Sequence, residues 1–484
     1  MKIRTISRSS REHTRQCTGD IRRVQRNPDP LHHPHERARE LTRAVNAAKL
    51  GKVFAKPFVG ALDGHCDTVY SLARSSKNIV ALVSGAGDGE VRVWDIQHRR
   101  AVVRVPAAHR GIVRGLCVGH SGETFFSCGH DKTVKQFALA PSSAHRRRAA
   151  KASDAEEEEE SDDPDDIDYG AAASGDARAL AHLAAPEPLS VWTGTEAFSD
   201  IDHHWHRPIF ATAGAEIEVW DHDRSEPIHS FSWGSDSISA LRFNPAEPCL
   251  IAAAGSDRGV ALHDVRTAAS LRKVILEQRT NALAWNPMEP MNFTCANEDH
   301  NCYTFDMRRL SSALKVHKDH IGPVMAVSYA PTGREFVTGS YDRTVRIFDA
   351  RNGRSREMYH GRRMQRVFSV EFSADNSFVL SGSEDTNVRI WKARSNKKLG
   401  QEKPRERVAS DYRGALLKRY KSVKEVHRID RHRQVPRFIK KATKRKTEAH
   451  EKARRKKRNV EAHSAPGTVK HTAIRKEKIF REMS

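Results

Sequence analysis

The sequence predicts an all-β fold, because one short pattern recurs along most of the chain. The pattern is a turn followed by alternating residues and a closing aromatic residue, usually before Asp, as in Ser84–Asp95. Its clearest other copies are Gly339–Asp349 and Gly382–Lys392. The closing residue recurs at steps of 42 or 43 residues, apart from one step of 83. This period with Trp-Asp endings is typical of the WD-repeat β-propeller, in which each repeat forms one four-stranded blade.

The closing positions give the number of blades. They are Trp94, Phe137, Trp220, His263, Phe305, Phe348 and Trp391. The long step contains Ala140–Pro188, which breaks the repeat with basic, acidic and alanine-rich sequence. We therefore expect a seven-bladed propeller in which one blade carries an insertion at its entrance. His263 is interpreted as a tolerated substitution in a weak blade.

Histidine and aspartate also recur inside the repeat. Asp stands six residues before the closing position in six of the seven copies, and Gly214 takes that place in the third. The six are Asp88, Asp131, Asp257, Asp299, Asp342 and Asp385. His65, His109 and His320 each open an H-x-x-x-V run about 22 residues before one of them.

This spacing fits a hydrogen-bonded relay of His, Ser or Thr, Asp and Trp within a blade, with Ser84 or Ser127 as the middle member. The relay satisfies polar groups that would each cost about 1–3 kcal/mol if buried alone. An active site would not be copied several times around a ring, so we expect no enzymatic activity from these residues. The residues expected to act structurally are His65, Asp88, Trp94, His109, Asp131, His320, Asp342, Asp385 and Trp391.

Composition excludes several classes of protein. No run of about 18 apolar residues predicts a membrane span, and the start of the chain lacks the apolar segment of a signal peptide. The seven cysteines are scattered without a C-x-x-C pair, so we expect an intracellular protein without a disulfide framework or zinc site. Asp200–His206 is rich in His and Asp, but neighbouring side chains in a strand point to opposite faces. Neither a metal nor a cofactor is expected.

The positive charge lies at the two ends of the chain. The formal net charge is +22, and residues 401–484 contain 28 Lys and Arg against 10 Asp and Glu. Residues 1–50 contain 12 against 5. A near-neutral ring with two basic extensions is expected to bind a polyanion through those extensions.

The sequence divides into three parts. We predict a basic N-terminal arm at 1–52, the propeller at 53–400 with an acidic disordered insertion at about 141–188, and a basic helical tail at 401–484. The acidic run is either a solubilising loop, a competitor of nucleic acid for the tail, or a substrate of acidophilic kinases at Ser153 or Ser161. In the arm we predict a helix from Arg37 to Leu50. A strand at Val53–Val59 is expected to complete the last blade, which ends one strand short.

The tail combines an apolar stripe with basic clusters. Pro404 suits a helix start, and Val408, Tyr412, Leu416 and Tyr420 form a stripe that could dock on the ring or on a partner. A second basic segment runs from about Arg437 to Val460. Because the tail has few aromatic residues, recognition of RNA backbone and shape is expected rather than base reading, unless Arg454–Arg458 is only a nuclear import signal. The candidate RNA-binding residues are Arg431, His432, Arg433, Lys444, Arg445, Lys446, Arg454, Arg455, Lys456, Lys457 and Arg458.

Several segments resemble the Sof-type (suppressor of fibrillarin) WD-repeat proteins. They are Arg23–Pro30, Ile201–Trp205, Trp285–Glu289, Ala296–Arg308, Arg431–Arg433 and His463–Gly467. The resemblance implies a nucleolar scaffold of the small-subunit processome, which processes small-subunit rRNA precursor alongside a box C/D guide RNA. It implies pre-ribosomal RNA and other processome proteins as partners, and no membrane.

Animal members of this family also resemble substrate receptors of cullin–RING ubiquitin ligases, which carry a W/Y-D-x-R box at blade ends. Here Asp306 and Arg308, and Asp349 and Arg351, keep the Asp and Arg of the box but follow Phe. His263–Arg266 matches the box less well. These arginines either bind a ligase adaptor or pair with acids of the blades.

Overall fold

The computed structural model describes residues 30–32, 34–139, 186–465, 467–469 and 473–483. Two compact units make up the chain. One comprises the residues up to Pro57 together with Arg394–Gln434, and the other comprises Phe58–Ala393 and Val435–Ser484. The described part of the predicted arm therefore folds with the first part of the predicted tail, and the described rest of the tail belongs with the propeller.

Seven antiparallel sheets form the propeller. From the inner strand outwards, blade 1 contains β2 (Val69–Arg74), β3 (Ala81–Ala86), β4 (Val91–Asp95) and β5 (Arg100–Val105); blade 2 contains β6 (Val113–Val118), β7 (Thr124–Gly129), β8 (Thr133–Ala138) and β9 (Ser190–Thr193); blade 3 contains β10 (Asp200–His203), β11 (Ile209–Ala213), β12 (Ile217–Asp221) and β13 (His229–Phe231); blade 4 contains β14 (Ile238–Phe243), β15 (Leu250–Gly255), β16 (Gly259–Asp264) and β17 (Ala269–Leu276).

The remaining three blades complete the ring. Blade 5 contains β18 (Thr280–Trp285), β19 (Asn292–Asn297), β20 (Asn301–Asp306) and β21 (Lys315–Lys318); blade 6 contains β22 (Val324–Tyr329), β23 (Glu335–Ser340), β24 (Val345–Asp349) and β25 (Ser355–Tyr359); blade 7 contains β26 (Val367–Phe372), β27 (Phe378–Ser383), β28 (Val388–Lys392) and β1 (Phe58–Leu62). The inner strands neighbour one another in order, and the inner strand of blade 7 lies beside that of blade 1. We call the end of the ring where each inner strand begins the top face, and the opposite end the bottom face.

The last blade is closed by the N-terminal side of the chain. Strand β1 pairs antiparallel with β28, with Leu62 opposite Val388 and Phe58 opposite Trp391. The prediction that a segment before the first His completes this blade is confirmed. The predicted position at Val53–Val59 was wrong, because Val53 still belongs to a helix and the strand begins only after Pro57.

Two kinds of contact bury the closing ring of a blade. Where the ring is Phe, it stacks on the Phe opposite it on the second strand, as in Phe125 with Phe137 at 5.4 Å and Phe336 with Phe348 at 5.3 Å between centroids. Where the ring is Trp, its indole N–H donates to a hydroxyl on the second strand. Trp94 donates to Ser84 at 2.7 Å, Trp220 to Thr212 at 2.9 Å and Trp391 to Ser381 at 2.8 Å.

Blades 2 and 6 contain the predicted relay without the Trp. His109 bridges Asp131 and Ser127, with Nδ1–Oδ1 at 2.9 Å and Nε2–Oγ at 2.8 Å. His320 bridges Asp342 and Thr338 in the same way, at 2.9 and 2.7 Å. Both ring nitrogens of each histidine therefore contact polar groups within its own blade.

Blade 1 uses a different acid in the relay. His65 Nε2 lies 2.6 Å from the Ser84 hydroxyl, but its Nδ1 faces Glu90 at 3.4 Å. Asp88 is exposed and accepts the backbone N–H of Glu90 at 3.0 Å, so it shapes the turn and is not the relay acid that the spacing predicted. Burial acts to raise the pKa of Glu90, but the neighbouring imidazole of His65 and the guanidinium groups of Arg92 and Arg104 outweigh it and lower that pKa to about 2.

Blade 7 has no histidine relay at its predicted aspartate. Asp385 instead accepts from the guanidinium of Arg389 on the third strand, with Nη1–Oδ1 at 2.9 Å. In blade 7 an ion pair therefore takes the place of the histidine–aspartate hydrogen bond of blades 2 and 6.

The long insertion interrupts blade 2. Strands β8 and β9 pair with each other, with Thr133 opposite Thr193, so residues 140–189 connect the third strand to the outer strand. The prediction of an insertion at the entrance of a blade was wrong. An outer strand pairs on one side only, so a long connection before it disturbs no other pairing in the blade. The predicted disorder of the acidic run lies outside the described residues.

Three helices form the second compact unit: α1 (Glu36–Val53), α2 (Pro404–Arg419) and α3 (Lys424–Arg431). Their core contains Ala44, Ala48, Leu416 and Val426. The helix predicted from Arg37 to Leu50 and the helix start at Pro404 are confirmed. The predicted stripe docks in part, and on α1 instead of the ring: Leu416 is buried against α1 and the Tyr420 hydroxyl donates to Glu40 at 2.7 Å, whereas Val408 and Tyr412 are about half exposed.

The rest of the tail forms a helix and a strand of the propeller unit. Helix α4 (Arg437–His463) confirms the second predicted helical segment, and β29 (Ile479–Met483) was not predicted. β29 adds a fifth strand to blade 4 by pairing with β17, with Ile479 opposite Leu276. Within the described ranges, no helix combines the length and the apolar character that crossing a membrane requires.

Several buried histidines are held neutral. Burial lowers the pKa of His263 and of His317 to about 4, and that of His203 to about 3. An unfolded chain binds these protons at its ordinary pKa near 6.5. Above pH 6.5 these neutral histidines therefore cost the folded state no stability. As the pH falls from about 6.5 towards 4, protons bind the unfolded chain more readily and the free energy of unfolding decreases.

We expect the urea concentration at the unfolding midpoint of the full chain to be lower at pH 5.5 than at pH 7.0. His263→Phe, which installs the ring found in blades 2, 5 and 6, should reduce this loss by about 1 kcal/mol, because one fewer proton binds on unfolding. Unfolding followed by tryptophan fluorescence at both pH values measures the effect. The same loss of stability in both proteins contradicts the role of His263.

Candidate nucleic-acid and protein interfaces

Helix α4 turns one side towards the ring. Ile439 is buried, and the ammonium of Lys446 donates to the backbone carbonyl of His320 at 2.9 Å. Lys457 pairs with Glu477 of the chain segment before β29, with Nζ–Oε1 at 2.7 Å. Residues spaced by 7 or 11 share one side of a helix, so these contacts define the inner side of α4. Burial lowers the pKa of Lys446.

The opposite side of α4 is exposed and basic. Lys444 and Arg455 lie about half a turn from Lys446 around the helix and Arg458 about a third of a turn, and all three side chains are exposed. Arg445, Arg454 and Lys456 are also exposed and flank this outer side. Of the predicted RNA-binding residues in α4, Lys446 is thus turned inward and Lys457 is bound to an acid.

The other predicted RNA-binding residues lie in the helical unit. Arg431 is the last residue of α3, and His432 and Arg433 follow it in extended backbone. Arg431 and His432 are exposed, whereas Arg433 is half-buried. The predicted RNA-binding residues are therefore divided between the two compact units.

Three consecutive blades present an Asp-x-Arg turn at the bottom face. Asp306 accepts the backbone N–H of Arg308 at 3.0 Å and also its guanidinium, at 3.1 and 2.9 Å. Asp349 accepts the backbone N–H of Arg351 at 3.2 Å, and Asp264 that of Arg266 at 2.9 Å. The arginines lie on the surface, and the side chain of Arg308 remains 70% exposed despite its ion pair.

The end of the tail contacts the turn that contains Arg308. Arg272 on β17 donates to the carbonyl of Arg308 at 2.5 Å and lies 3.9 Å from Glu482 on β29. Ala313, in the same connection as Arg308, donates its backbone N–H to Arg475 at 3.2 Å. Ile479 packs against the apolar core that includes Leu310. This contact could not be predicted from the sequence, because Ile479–Met483 is a short alternation after a lysine-rich run.

The His and Asp residues around Asp202 have structural partners. Asp200 binds Arg242 at 2.8 Å, and Asp202 accepts the backbone N–H of Phe243 at 2.7 Å. His203 Nδ1 contacts the carbonyl of His204 at 2.6 Å. In the part of the chain that the structure describes, no group of three or more His, Cys, Asp or Glu side chains is arranged to hold a metal ion.

Sequence profiles of known families match both the tail and the propeller. A sequence profile of the Sof1-like domain matches residues 393–479. A profile of the WD domain, G-beta repeat, matches residues 56–95, 101–137, 311–349 and 355–392. The chain is 44% identical over 470 residues to "DDB1- and CUL4-associated factor 13" of Danio rerio, covering 97% of each chain. The chain belongs to the Sof1-type family of WD-repeat proteins.

Other members of the Sof1-type family are similarly close. The proteins of the same name from Homo sapiens and Dictyostelium discoideum are 41% and 38% identical, over 99% and 96% of each chain. The Sof1-like match begins one residue after β28 and reaches the start of β29. Residues 138–310 lie outside the WD matches, and this range contains Gly214 and His263, the two positions where the repeat residues depart from the pattern. A WD-repeat propeller with these relatives indicates a scaffold or adaptor.

The packing of β29 can be tested with two neighbouring residues. Ile479→Asp places a charge in the apolar contact with blades 4 and 5, so we expect faster hydrogen exchange in β17 and in residues 307–314. Phe480→Asp is the control, because Phe480 lies on the same strand and is 84% exposed. Exchange measured by mass spectrometry should change only in the first variant. Equal exchange in both would contradict the contact of Ile479 with this core.

Proposed function

We propose that this Sof1-type protein is a non-enzymatic scaffold of the small-subunit processome, the U3-type small nucleolar ribonucleoprotein. It acts in the nucleolus in processing of small-subunit rRNA precursor and in 40S ribosome biogenesis. Its propeller binds other processome proteins, and its basic tail binds pre-ribosomal RNA and box C/D guide RNA.

The observation that carries the proposal is the division of α4 into two sides. The inner side is anchored through Ile439 and Lys446, so the outer side presents Lys444, Arg455 and Arg458 on a fixed helix. Lys and Arg that neutralise phosphates release counterions and provide most of the affinity for a nucleic-acid backbone. A positioned basic helix of this kind fits the phosphates of structured RNA without base recognition.

The direct test is RNA binding by the full chain with the outer side of α4 neutralised. Lys444→Gln, Arg455→Gln and Arg458→Gln together should weaken binding of a structured small-subunit precursor RNA by about tenfold. They should also reduce the slope of log K against log salt by about two to three, because three phosphate contacts are lost. Fluorescence anisotropy over a salt series measures both quantities.

Lys446→Gln is the matched control for this experiment. It removes one charge from the inner side of the same helix, where the ammonium binds His320 instead of solvent. We expect RNA affinity within twofold of the original chain and a lower unfolding temperature. RNA affinity that is unchanged in the triple variant, or reduced equally per charge in both proteins, would contradict the proposal.

The second candidate is a substrate receptor of a cullin–RING ubiquitin ligase. The names of the relatives associate those proteins with DDB1 and CUL4. In this chain the support is the row of Asp-x-Arg turns on blades 4, 5 and 6 at the bottom face, each with its Asp bound to the backbone of the turn. Such a row can present planar guanidinium groups to an adaptor protein.

Arg308→Ala with Arg351→Ala tests this candidate. If the turns bind DDB1, the double variant should bind it at least tenfold more weakly in a biolayer measurement, because two exposed guanidinium contacts are removed. Arg334→Ala, an exposed arginine between β22 and β23 at the same face, should not change binding. Unchanged DDB1 binding in the double variant would rule out these turns as the adaptor site.

A further inference from the structure

Three aromatic rings contact one another at the top mouth of the propeller channel. Tyr70 and Phe368 are each the second residue of an inner strand, β2 and β26, so they lie at the same end of the ring. Their centroids are 4.9 Å apart. Tyr341 follows β23, whose end is also at the top face, and contacts Phe368 edge-on at 5.7 Å. We call these three residues the aromatic row.

Each end of the aromatic row is covered by an arginine. The guanidinium carbon of Arg114 lies 5.7 Å from the ring centre of Tyr70, and that of Arg366 lies 5.1 Å from the ring centre of Tyr341. Arg114 donates through Nε to His130 at 3.1 Å, and Arg366 has only a long contact of 3.7 Å to Glu384. A guanidinium stacked on a ring keeps its outer N–H groups available for a planar anion such as phosphate.

The surroundings of the aromatic row are positive. The top connections that flank it contribute Arg110, Arg343, Arg362 and Arg363, all exposed. The acidic residues at the surface of the connections around the aromatic row are Asp63, Asp67, Asp88 and Glu384, against six arginines when Arg114 and Arg366 are included. The other acids of these connections, Glu90, Asp131, Asp342 and Asp385, are paired with His or Arg of their own blades. Charges deeper in the channel are instead paired, with Arg74 and Glu371 at 3.0 Å and Arg242 and Asp200 at 2.8 Å. The excess of positive charge is therefore at the mouth.

The channel below the mouth offers two polar atoms without partners. The cavity has a volume of about 330 Å³ and is lined by Tyr70, Arg114 and Phe368 among others. Asn281 Oδ1 and Ser369 Oγ also belong to residues lining this cavity, and neither atom has a hydrogen-bond partner among the described residues. Both atoms are buried, so they belong to the wall of the channel and not to its open surface.

The aromatic row and α4 share the top face. His320, whose carbonyl accepts from Lys446, precedes β22 at the end where the inner strands begin. The outer side of α4 and the arginines of the aromatic row thus belong to one face of the propeller unit. This continuity favours a nucleic acid over an acidic peptide as the partner of the aromatic row.

We propose that the aromatic row binds a single-stranded RNA segment. Bases stack on the row formed by Tyr70, Phe368 and Tyr341, and the flanking phosphates bind Arg114 and Arg366. Aromatic rings beside a positive groove are the usual means of holding single strands, because every base has a face that can stack. The inference rests on the proposed function and extends it, since α4 recognises phosphates of structured RNA whereas the aromatic row requires unpaired bases.

The experiment compares two RNA probes on the full chain. One is a fluorescein-labelled unstructured oligonucleotide of about 12 nucleotides, and the other is a labelled RNA hairpin without unpaired ends. Tyr341→Leu should lower the affinity for the single-stranded probe about fivefold or more, because a stacking surface is lost. The affinity for the hairpin should stay within twofold, because the charge is unchanged. Arg114→Gln with Arg366→Gln should weaken the single-stranded probe at least as much.

Arg224→Gln with Arg334→Gln is the matched control. Both arginines are exposed in bottom-face connections, so the charge change is the same and the aromatic row is untouched. An equal loss in this control, or an equal loss of both probes in Tyr341→Leu, would overturn the proposal. So would displacement of the single-stranded probe by a poly-glutamate peptide at lower concentration than by unlabelled RNA, which would assign the aromatic row to an acidic protein.

The same measurements separate this inference from the proposed function. If the triple variant of α4 keeps its affinity for structured RNA while Tyr341→Leu loses the single strand, the proposal for the tail fails and the aromatic row stands. If the triple variant loses structured RNA while Tyr341→Leu binds both probes normally, the aromatic row fails and the tail proposal stands.

Discussion

Pairing between β1 and β28 is the contact on which the rest of the structure depends. The last blade takes its outer strand from the chain before the first blade, so this pairing ties the two ends of the propeller sequence together. Both segments that leave the ring for the helical unit therefore leave from blade 7, after Lys392 and before Phe58. This explains how helices separated by about 350 residues in sequence, α1 and α2, share one core. The second edge filled by a distant segment is that of β17, which β29 covers, so an edge open to other chains is paired within the molecule.

Blade interiors show how one repeat tolerates several chemistries. A buried polar group needs a partner, but the partner can be Asp131, Glu90 or Arg389, depending on the blade. The closing ring can likewise be a stacked Phe or a hydrogen-bonded Trp. These histidines and acids are engaged in contacts inside the blades. The residues available to bind partners therefore lie on the surfaces. Those surfaces are the outer side of α4 and the aromatic row at the top, and the Asp-x-Arg turns at the bottom.

The sequence predicted what depends on short spacing and missed what depends on distant partners. Blade number follows from positions such as Trp94 and Trp391, and the helix at Pro404 follows from local composition, so both could be predicted. The use of Glu90 in place of Asp88 depends on the reach of a side chain across a turn, which spacing alone does not give. β29 forms only because β17, more than 200 residues earlier, has an open edge. The basic clusters of the tail were visible, but the inward turn of Lys446 required the position of His320. The aromatic row combines Tyr70, Tyr341 and Phe368 from three blades and has no sequence signature.

The central claim is that the outer side of α4 anchors the propeller to precursor RNA of the small ribosomal subunit. The most direct measurement is in-cell crosslinking of the full chain to RNA, followed by sequencing, in comparison with a chain in which Lys444, Arg455 and Arg458 are changed to Gln. A truncation at Gly400 is unsuitable, because it also removes α2, α3 and β29 from their cores. The account predicts crosslinks concentrated in small-subunit precursor or box C/D guide RNA that are strongly reduced in the variant. Crosslinks of equal number and position in the variant, or none in a well-expressed full chain, would contradict it.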